Sequence, residues 1–212
     1  MPGGDKRRRH WPPGDEALII QLTGEINSVS LDRLTRVLLS GSAGDTVYLF
    51  INSGGGECDA GFSIVSLLRL QQRAGRRIVT VNYGDVSSMA FPIFVQGDER
   101  YATDGATWML HEIQDHFETG DTQSTTESEF NAELNKKLWE KYLNCLTEGF
   151  NQRRFGPAAV KKKIAAAVKK EWHPTLSELL DVGVVTAEGL PDVRQGGEWI
   201  VVDGDASGQE EG

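Results

Sequence analysis

The chain has 212 residues, a formal net charge of −9, 39% hydrophobic residues and 25% charged residues. This length suffices for one domain with a full hydrophobic core, and the acidic balance argues against binding to nucleic acid. No apolar run approaches the roughly 18 residues that a membrane-spanning helix needs, so no membrane contact is expected. Cys58 and Cys145 lie far apart and form no CxxC pair, which is typical of a reducing compartment and predicts a cytoplasmic protein.

Apolar strands and amphipathic helices alternate in the first half of the chain. The predicted order is strand 17–26, helix 30–41, strand 46–52, helix 58–72 and strand 77–83. Ser30 is the expected N-cap of the first helix, and Gly41 is expected to mark its end. Five successive apolar positions in the second strand indicate burial on both faces, as in a parallel sheet. The pattern therefore predicts an α/β fold built from βαβ units.

The second half of the chain is mainly helical. Two short strands, RYAT and TWML, lead into helices predicted over residues 125–156 and 157–170. Thr175 and Glu178 form a capping box that predicts the start of a last helix. A helix of about thirty residues is much longer than the usual 11 or 12. We expect it to project from the domain or to pack against another subunit, which predicts a homo-oligomer.

The two ends of the chain differ in composition from the middle. Residues 1–16 contain a basic cluster with no apolar segment behind it, which predicts a flexible basic arm rather than a secretory signal. Residues 196–212 are rich in glycine and acidic residues and are predicted to form a flexible acidic tail. No internal repeat or Pro/Ser linker divides residues 17–195, so these are predicted to form one domain.

Two unusual loops follow successive strands, INSGGGE at 51–57 and GDVSSMAF at 84–91. The carboxyl ends of parallel strands meet at one edge of a sheet, so the two loops can face each other. A serine between a strand end and a helix start can act as a nucleophile, with nearby amides stabilising an oxyanion. On this segment alone, a serine that merely caps the helix is the favoured interpretation. The glycines allow close backbone approach but lack the lysine of a phosphate-binding Walker loop.

A candidate general base follows the strand TWML, where His111 lies near the predicted sheet edge. A histidine at a strand end is often only structural, so this position alone does not establish a base. The segment HEIQDH contains two histidines, but their spacing of five does not match the zincin pattern. We therefore expect neither a metal site nor a cofactor.

Four segments in order, INSGGGECDAG, GDVSSMAFPIFVQGDERYAT, WMLHE and TLSELLDVGVV, resemble the ClpP family, the proteolytic subunit of the Clp protease. The resemblance extends over residues 17–193. It implies a ClpP/crotonase-like fold of stacked βαβ units, with a projecting handle helix at about 112–155 that interlocks two rings. Three departures mark a divergent member: Gly54 replaces the family's proline, Ala90 replaces a glycine, and the acidic stretch EIQDHFETGDTQS replaces a glycine-rich substrate strand.

The same resemblance implies roles for five residues. Ser88 is similar in position to the nucleophile, and His111 to the general base. Gly55 and Met89 correspond to the donors of the two oxyanion-hole amides. Glu171, four residues before Thr175, occupies the position of the family's third triad member, an aspartate; other hydrolases of the Ser-His-Asp/Glu type show that glutamate can serve.

The implied activity is that of a serine endopeptidase of the Clp type, which hydrolyses peptides or unfolded proteins inside a self-assembled ring chamber. The family implies heptameric rings stacked in pairs. No ATPase motif occurs in the sequence, so ATP dependence would come only through a separate Clp-type AAA+ unfoldase. Two alternatives stay open: a catalytically silent ring subunit with a structural role, and an acyl-CoA enzyme of the crotonase type.

Overall fold

A seven-stranded sheet forms the centre of the protein, and every pairing between its named strands is parallel. The computed structural model describes residues 17–40, 46–113, 125–151, 156–193 and 199–205. The strands are β1 (Ala17–Thr23), β2 (Thr46–Ser53), β3 (Arg77–Ser87), β4 (Glu99–Ala102), β5 (Thr107–Met109), β6 (Ala187–Glu188) and β7 (Trp199–Asp203). Their order is β6-β4-β3-β2-β1-β7, and β5 pairs with the end of β3. The predicted α/β fold with a parallel sheet is confirmed.

Six helices are present in the described ranges. They are α1 (Ser28–Leu39), α2 (Cys58–Arg73), α3 (Ala90–Phe94), α4 (Thr125–Gly149), α5 (Pro157–Val168) and α6 (Leu176–Asp181). The main hydrophobic core contains buried residues from the sheet and from all six helices. A second cluster is formed by Ile19, Tyr48, Phe50, Val79 and Val81. Apolar packing on both faces explains why β2 is apolar at nearly every position.

The first helix begins earlier than its sequence pattern predicted. Asn27, not Ser30, is the N-cap: its side chain accepts hydrogen bonds from the backbone N–H groups of Val29 and Ser30. The Ser30 hydroxyl accepts from the Asn27 N–H, which completes a capping box with Ser30 as the third helical residue. At the other end the C-cap is Ser40, and Gly41 lies outside the described residues. The capping box of Thr175 and Glu178 on α6 is confirmed.

The long helix is divided into an exposed half and a buried half. Most side chains of α4 from residue 131 to 141 are exposed or half-buried, including Leu134. From Tyr142 to Leu146 the helix enters the core. The helix ends at Gly149, where a Cβ atom would lie 2.6 Å from the Val95 side chain. A long helix is confirmed, but it ends at Gly149 instead of 156, and residues 112–113 and 150–151 of the predicted handle are not helical. The predicted stretches 114–124 and 152–155 lie outside the described residues.

The predicted flexible tail is wrong over residues 199–203, which form β7 at the edge of the sheet. This strand pairs with β1 in register from Ile19 opposite Trp199 to Thr23 opposite Asp203. Val202 is fully buried and belongs to the main core. The rest of the predicted tail, 196–198 and 206–212, and the predicted arm 1–16 lie outside the described residues. Within the described ranges, no helix has the length and apolarity to cross a membrane.

Candidate active site

The glycine loop and the serine loop meet at the carboxyl edge of the sheet, as their positions after β2 and β3 predicted. Gly55 lies directly against the serine loop: a Cβ atom added there would be 2.6 Å from Ser88 Cβ and 2.8 Å from the Met89 nitrogen. Gly55 also has a φ of +100°, which side-chain-bearing residues rarely adopt. Only glycine therefore satisfies both the backbone angle and the close approach at this position.

Ser88 has a backbone conformation that is uncommon for a residue with a side chain, with a φ of +48°. Its N–H donates a hydrogen bond to the Met109 carbonyl oxygen at 2.7 Å, and its own carbonyl accepts from the Phe91 N–H at 3.1 Å. These two bonds hold the residue between β5 and α3. Left-handed conformations of this kind cost about 1–3 kcal/mol and concentrate at functional sites.

The Ser87 side chain points away from Ser88 and towards Asp85. Its hydroxyl donates a hydrogen bond to Asp85 Oδ1 at 2.7 Å, and the Thr107 hydroxyl donates to the same oxygen at 3.0 Å. Ser87 is buried and does not line the cavity that Ser88 faces. The two serines of the pair thus have different surroundings.

His111 lies opposite the serine loop, just beyond the end of β5. Ser88 and His111 line the same cavity of about 360 Å³, together with Gly54, Gly56 and Met89. The His111 Nδ1 lies 2.6 Å from the Glu112 carbonyl oxygen. Because a carbonyl oxygen can only accept, this hydrogen bond requires the proton on Nδ1. In the neutral imidazole, Nε2 is then left unprotonated and able to accept a proton.

Main-chain pairing places the backbone of Glu171 opposite the backbone of His111. Leu110 and Trp172 form an antiparallel bridge with hydrogen bonds of 2.9 and 2.7 Å, which sets the residues beside them, His111 and Glu171, opposite each other. The Glu171 side chain is 60% exposed, and its carboxylate lies 3.4 Å from His173 Nε2. Glu171 also has a left-handed φ of +56°. Its carboxylate is therefore directed at a different histidine, and Glu171 is not among the residues that line the cavity.

The two predicted oxyanion donors differ in their surroundings. Met89 lines the cavity, and its side chain packs so closely on Gly61 that a Cβ atom there would lie 2.2 Å from Met89 Cγ. The Gly55 N–H donates to the Ser53 hydroxyl at 3.2 Å, and Gly54 and Gly56, rather than Gly55, line the cavity. The Gly55 amide therefore has a hydrogen-bond partner inside its own loop.

Four cavity residues carry polar groups that the sequence did not single out. Glu25, Glu57, Glu112 and Tyr142 all line the space beside Ser88. Glu112 could have been noticed as the neighbour of His111, whereas Tyr142 falls in the apolar stripe of a helix and looks like a core residue. Within the described ranges, no group of three His, Cys, Asp or Glu side chains is arranged to hold a metal ion.

The fold and the position of the serine loop define a ClpP-type α/β protein. A family model described as Clp protease matches residues 15–152, more than half of the chain. The chain belongs to the Clp protease family.

Individual relatives agree with this assignment. The ATP-dependent Clp protease proteolytic subunit 2 of Treponema denticola is 26% identical over 172 residues, which is 79% of each chain. The proteolytic subunit 1 of Leifsonia xyli subsp. xyli is 30% identical over 127 residues, or 58% of this chain and 63% of the relative. A point mutant of ClpP1 from Listeria monocytogenes superposes with a TM-score of 0.68 at 19% identity, covering 82% of this chain and 92% of that one.

Proposed function

We propose that the chain is a serine endopeptidase of the Clp type, with Ser88 as nucleophile and His111 as general base. The observation that carries the proposal is that both side chains line one cavity, with Ser88 held in a left-handed conformation directly over Gly55. A nucleophile and a base at one cavity, each supplied by a different sheet-edge loop, are the minimum that acyl transfer needs.

The geometry supports a proton path through His111. Since Nδ1 carries the proton shared with the Glu112 carbonyl, Nε2 can take the Ser88 hydroxyl proton as Oγ attacks the peptide carbonyl carbon. The imidazolium then gives this proton to the leaving amine, the C–N bond breaks, and an acyl-enzyme remains. In the second step, His111 Nε2 takes a proton from a water molecule as the water oxygen attacks the ester carbon. The carboxylic acid then leaves as the imidazolium returns this proton to Ser88 Oγ.

The amides of Met89 and Gly55 are proposed to stabilise the oxyanion in both steps. Met89 is already at the cavity wall. The Gly55 N–H must exchange its bond of 3.2 Å to the Ser53 hydroxyl for the developing oxyanion. A charge-assisted hydrogen bond is roughly twice as strong as a neutral one, which favours this exchange once the oxyanion forms.

Glu171 is proposed to orient His111 in the working enzyme. The bridge between Leu110 and Trp172 places its backbone opposite His111, and its exposed side chain is free to rotate away from His173. Its carboxylate would replace the Glu112 carbonyl as the acceptor for Nδ1. A carboxylate at this position would also stabilise the imidazolium that forms during the reaction.

The enzyme is proposed to work as a ring-shaped homo-oligomer in the cytoplasm. The exposed half of α4, which includes Leu134 at 41% exposure, supports a contact between rings. Heptameric rings stacked in pairs, which the resemblance to the ClpP family implies, are part of the proposal. A separate Clp-type AAA+ unfoldase is also part of it, since the Treponema and Leifsonia relatives are named as proteolytic subunits of an ATP-dependent protease. Substrates would be peptides or unfolded proteins.

The serine pair provides the test of the proposed function. Ser88→Ala should abolish both peptide hydrolysis and labelling by a fluorophosphonate, with the label mapped to Ser88 in the wild type. Ser87→Ala is the matched control, because its hydroxyl is bound to Asp85 and does not face the cavity. Hydrolysis by Ser88→Ala at the wild-type rate would contradict the proposal.

A catalytically silent ring subunit is the second candidate. It is favoured by one observation, the pairing of Glu171 with His173 instead of His111. A wild-type protein that forms rings but neither reacts with fluorophosphonate nor cleaves peptides would support this candidate and exclude the peptidase.

A further inference from the structure

The glycine loop that lies against Ser88 has little stiffness of its own. It contains three consecutive glycines, Gly54, Gly55 and Gly56, and the last two have φ values of +100° and +147°. Glycine loses more conformational freedom on folding than any other residue. Gly54 also stands where the resemblance to the ClpP family predicts a proline, which would restrict this freedom. Contacts with neighbouring segments therefore decide how firmly the loop is held.

The turn that follows β1 supplies such contacts at both ends of the loop. The Ile26 N–H donates a hydrogen bond to the Gly55 carbonyl oxygen at 2.8 Å, and the Glu57 N–H donates to the Ile26 carbonyl oxygen at 2.7 Å. The buried Ser53 hydroxyl donates to the Gly24 carbonyl oxygen at 2.6 Å. Because these bonds join main chain to main chain or to a buried side chain, a displacement of the turn displaces the glycine loop as well.

The chain that leaves β7 holds this turn in place. The Gly204 N–H donates to the Thr23 carbonyl oxygen at 3.0 Å, and the Asn27 side-chain amide donates to the Gly204 carbonyl oxygen at 3.0 Å. The Asp205 carboxylate accepts a hydrogen bond from the Glu25 N–H at 3.0 Å. The packing is so close that a Cβ atom on Gly204 would lie 1.8 Å from the Glu25 carbonyl oxygen. A continuous set of contacts thus connects the C-terminal strand to the loop beside Ser88.

We propose that β7 and the two residues after it position the glycine loop for catalysis, with Asp205 as a positioning residue that acts through the Glu25 N–H. This inference rests on the proposed peptidase function, because it concerns the loop that is proposed to stabilise the oxyanion. β7 lies outside residues 15–152, which the family model matches, so membership of the family does not by itself predict this role.

A positioning role differs from a purely stabilising one in its kinetic signature. The oxyanion exists only during the reaction, so a loop that is held less firmly weakens the transition state and leaves substrate binding unchanged. Loss of positioning therefore lowers kcat and kcat/KM equally, with KM unchanged. Loss of stability alone lowers the melting temperature but leaves kcat at the wild-type value at temperatures where the variant is folded.

The test measures peptide hydrolysis and the rate of fluorophosphonate labelling on the assembled full-length protein, with light scattering to show that each variant has the wild-type mass. Asp205→Ala removes the acceptor for the Glu25 N–H and should lower kcat about tenfold, the size expected for a hydrogen bond to a charged group. Asp205→Asn keeps an oxygen at this position and should restore kcat to the wild-type value. Gly204→Ala forces the turn away from β7 and should lower kcat about a hundredfold, as for a misplacement of about 1 Å. The labelling rate should fall in parallel with kcat.

Gly75→Ala is the control for a loss of stability without a loss of positioning. Gly75 has a φ of +94° and nothing within 4 Å of a Cβ atom, and it precedes β3 at the opposite edge of the sheet. This variant should lower the melting temperature and leave kcat unchanged. Hydrogen exchange, followed by mass spectrometry of a peptide that covers residues 51–58, provides a readout independent of activity. Exchange should accelerate in Asp205→Ala and stay at the wild-type rate in Gly75→Ala.

The outcomes separate this inference from the proposed function. A wild-type kcat in Asp205→Ala would overturn the inference and leave the peptidase intact, even if the melting temperature falls. Unchanged hydrogen exchange of the loop in Asp205→Ala, or an equal fall of kcat in Asp205→Ala and Asp205→Asn, would also overturn it. If the wild-type protein hydrolyses no peptide and fluorophosphonate does not label Ser88, both the peptidase and the positioning role are wrong.

Discussion

Replacing Gly55 with alanine tests the contact that brings the two loops together. Alanine would have to adopt a φ of +100°, and backbone strain of this kind costs about 1–3 kcal/mol. Its Cβ would also lie 2.6 Å from Ser88 Cβ and 2.9 Å from the Ser87 carbonyl oxygen, and such overpacking adds about 1–3 kcal/mol. We therefore expect Gly55→Ala to lower the free energy of unfolding by about 2–6 kcal/mol, the sum of these two effects.

Two other glycines allow the strain and the contact to be measured separately. Gly75 has a φ of +94° but nothing within 4 Å of a Cβ atom, so Gly75→Ala measures the backbone cost alone. Gly105 has neither a positive φ nor a close neighbour, so Gly105→Ala should change stability little. Urea unfolding gives the three values, and the rate of fluorophosphonate labelling reports on Ser88. Equal losses for Gly55→Ala and Gly75→Ala would refute the close contact between the two loops.

Three further predictions concern the third triad member, the last helix and the assembly. Glu171→Gln should keep the fold and lower kcat by up to about 10⁴-fold, because Glu171 is proposed to orient His111. His173→Ala removes the present partner of the Glu171 carboxylate and should not lower kcat. Unchanged turnover in Glu171→Gln would indicate a Ser-His dyad. Hydrogen bonds from Thr175, first from its backbone N–H and second from its hydroxyl, lower the pKa of Glu178 from 4.5. Ionised Glu178 therefore stabilises the fold at pH values above its ordinary pKa. This stabilisation is lost as the pH falls through the lowered pKa. The difference in melting temperature between wild type and Glu178→Gln should therefore shrink between neutral pH and about pH 3, and a constant difference would contradict the capping role. Light scattering should show a mass many times the 23.3 kDa of one chain, and a clean monomer in dilute buffer would exclude the ring.

The strands could be predicted from the sequence because each rests on a local pattern, whereas the roles of Ser88 and His111 were predicted from the resemblance to the ClpP family. A short apolar run predicts a buried strand, and parallel strands bring the loops that follow them to one edge. Ser88 and His111 each follow such a run, so their common cavity follows from topology. The start of α1 was predicted wrongly because Asn27 and Ser30 are both good capping residues, and only the completed hydrogen bonds identify Asn27 as the cap.

The remaining parts of the site depend on contacts between segments that are distant in the sequence. Tyr142 lies on a helix 54 residues after Ser88, and a stripe of apolar residues does not show which of its members reaches a cavity. The Glu171 carboxylate could pair with His111 or with His173, and a sequence pattern does not show which of the two histidines it contacts. β7 was missed because its short apolar run, WIVV, is flanked by glycine and acidic residues that favour a flexible segment.

The parallel pairing of β7 with β1 determines where attachments to the chain would emerge. Because both strands run in the same direction, Ala17 lies at the amino edge of the sheet and Asp203 at the carboxyl edge. Beyond β7, the Asp205 carboxylate accepts a hydrogen bond from the Glu25 N–H, and Glu25 lines the cavity. A fluorophore attached at position 205 would therefore lie beside the substrate entrance, whereas one attached at position 17 would lie at the opposite edge of the sheet.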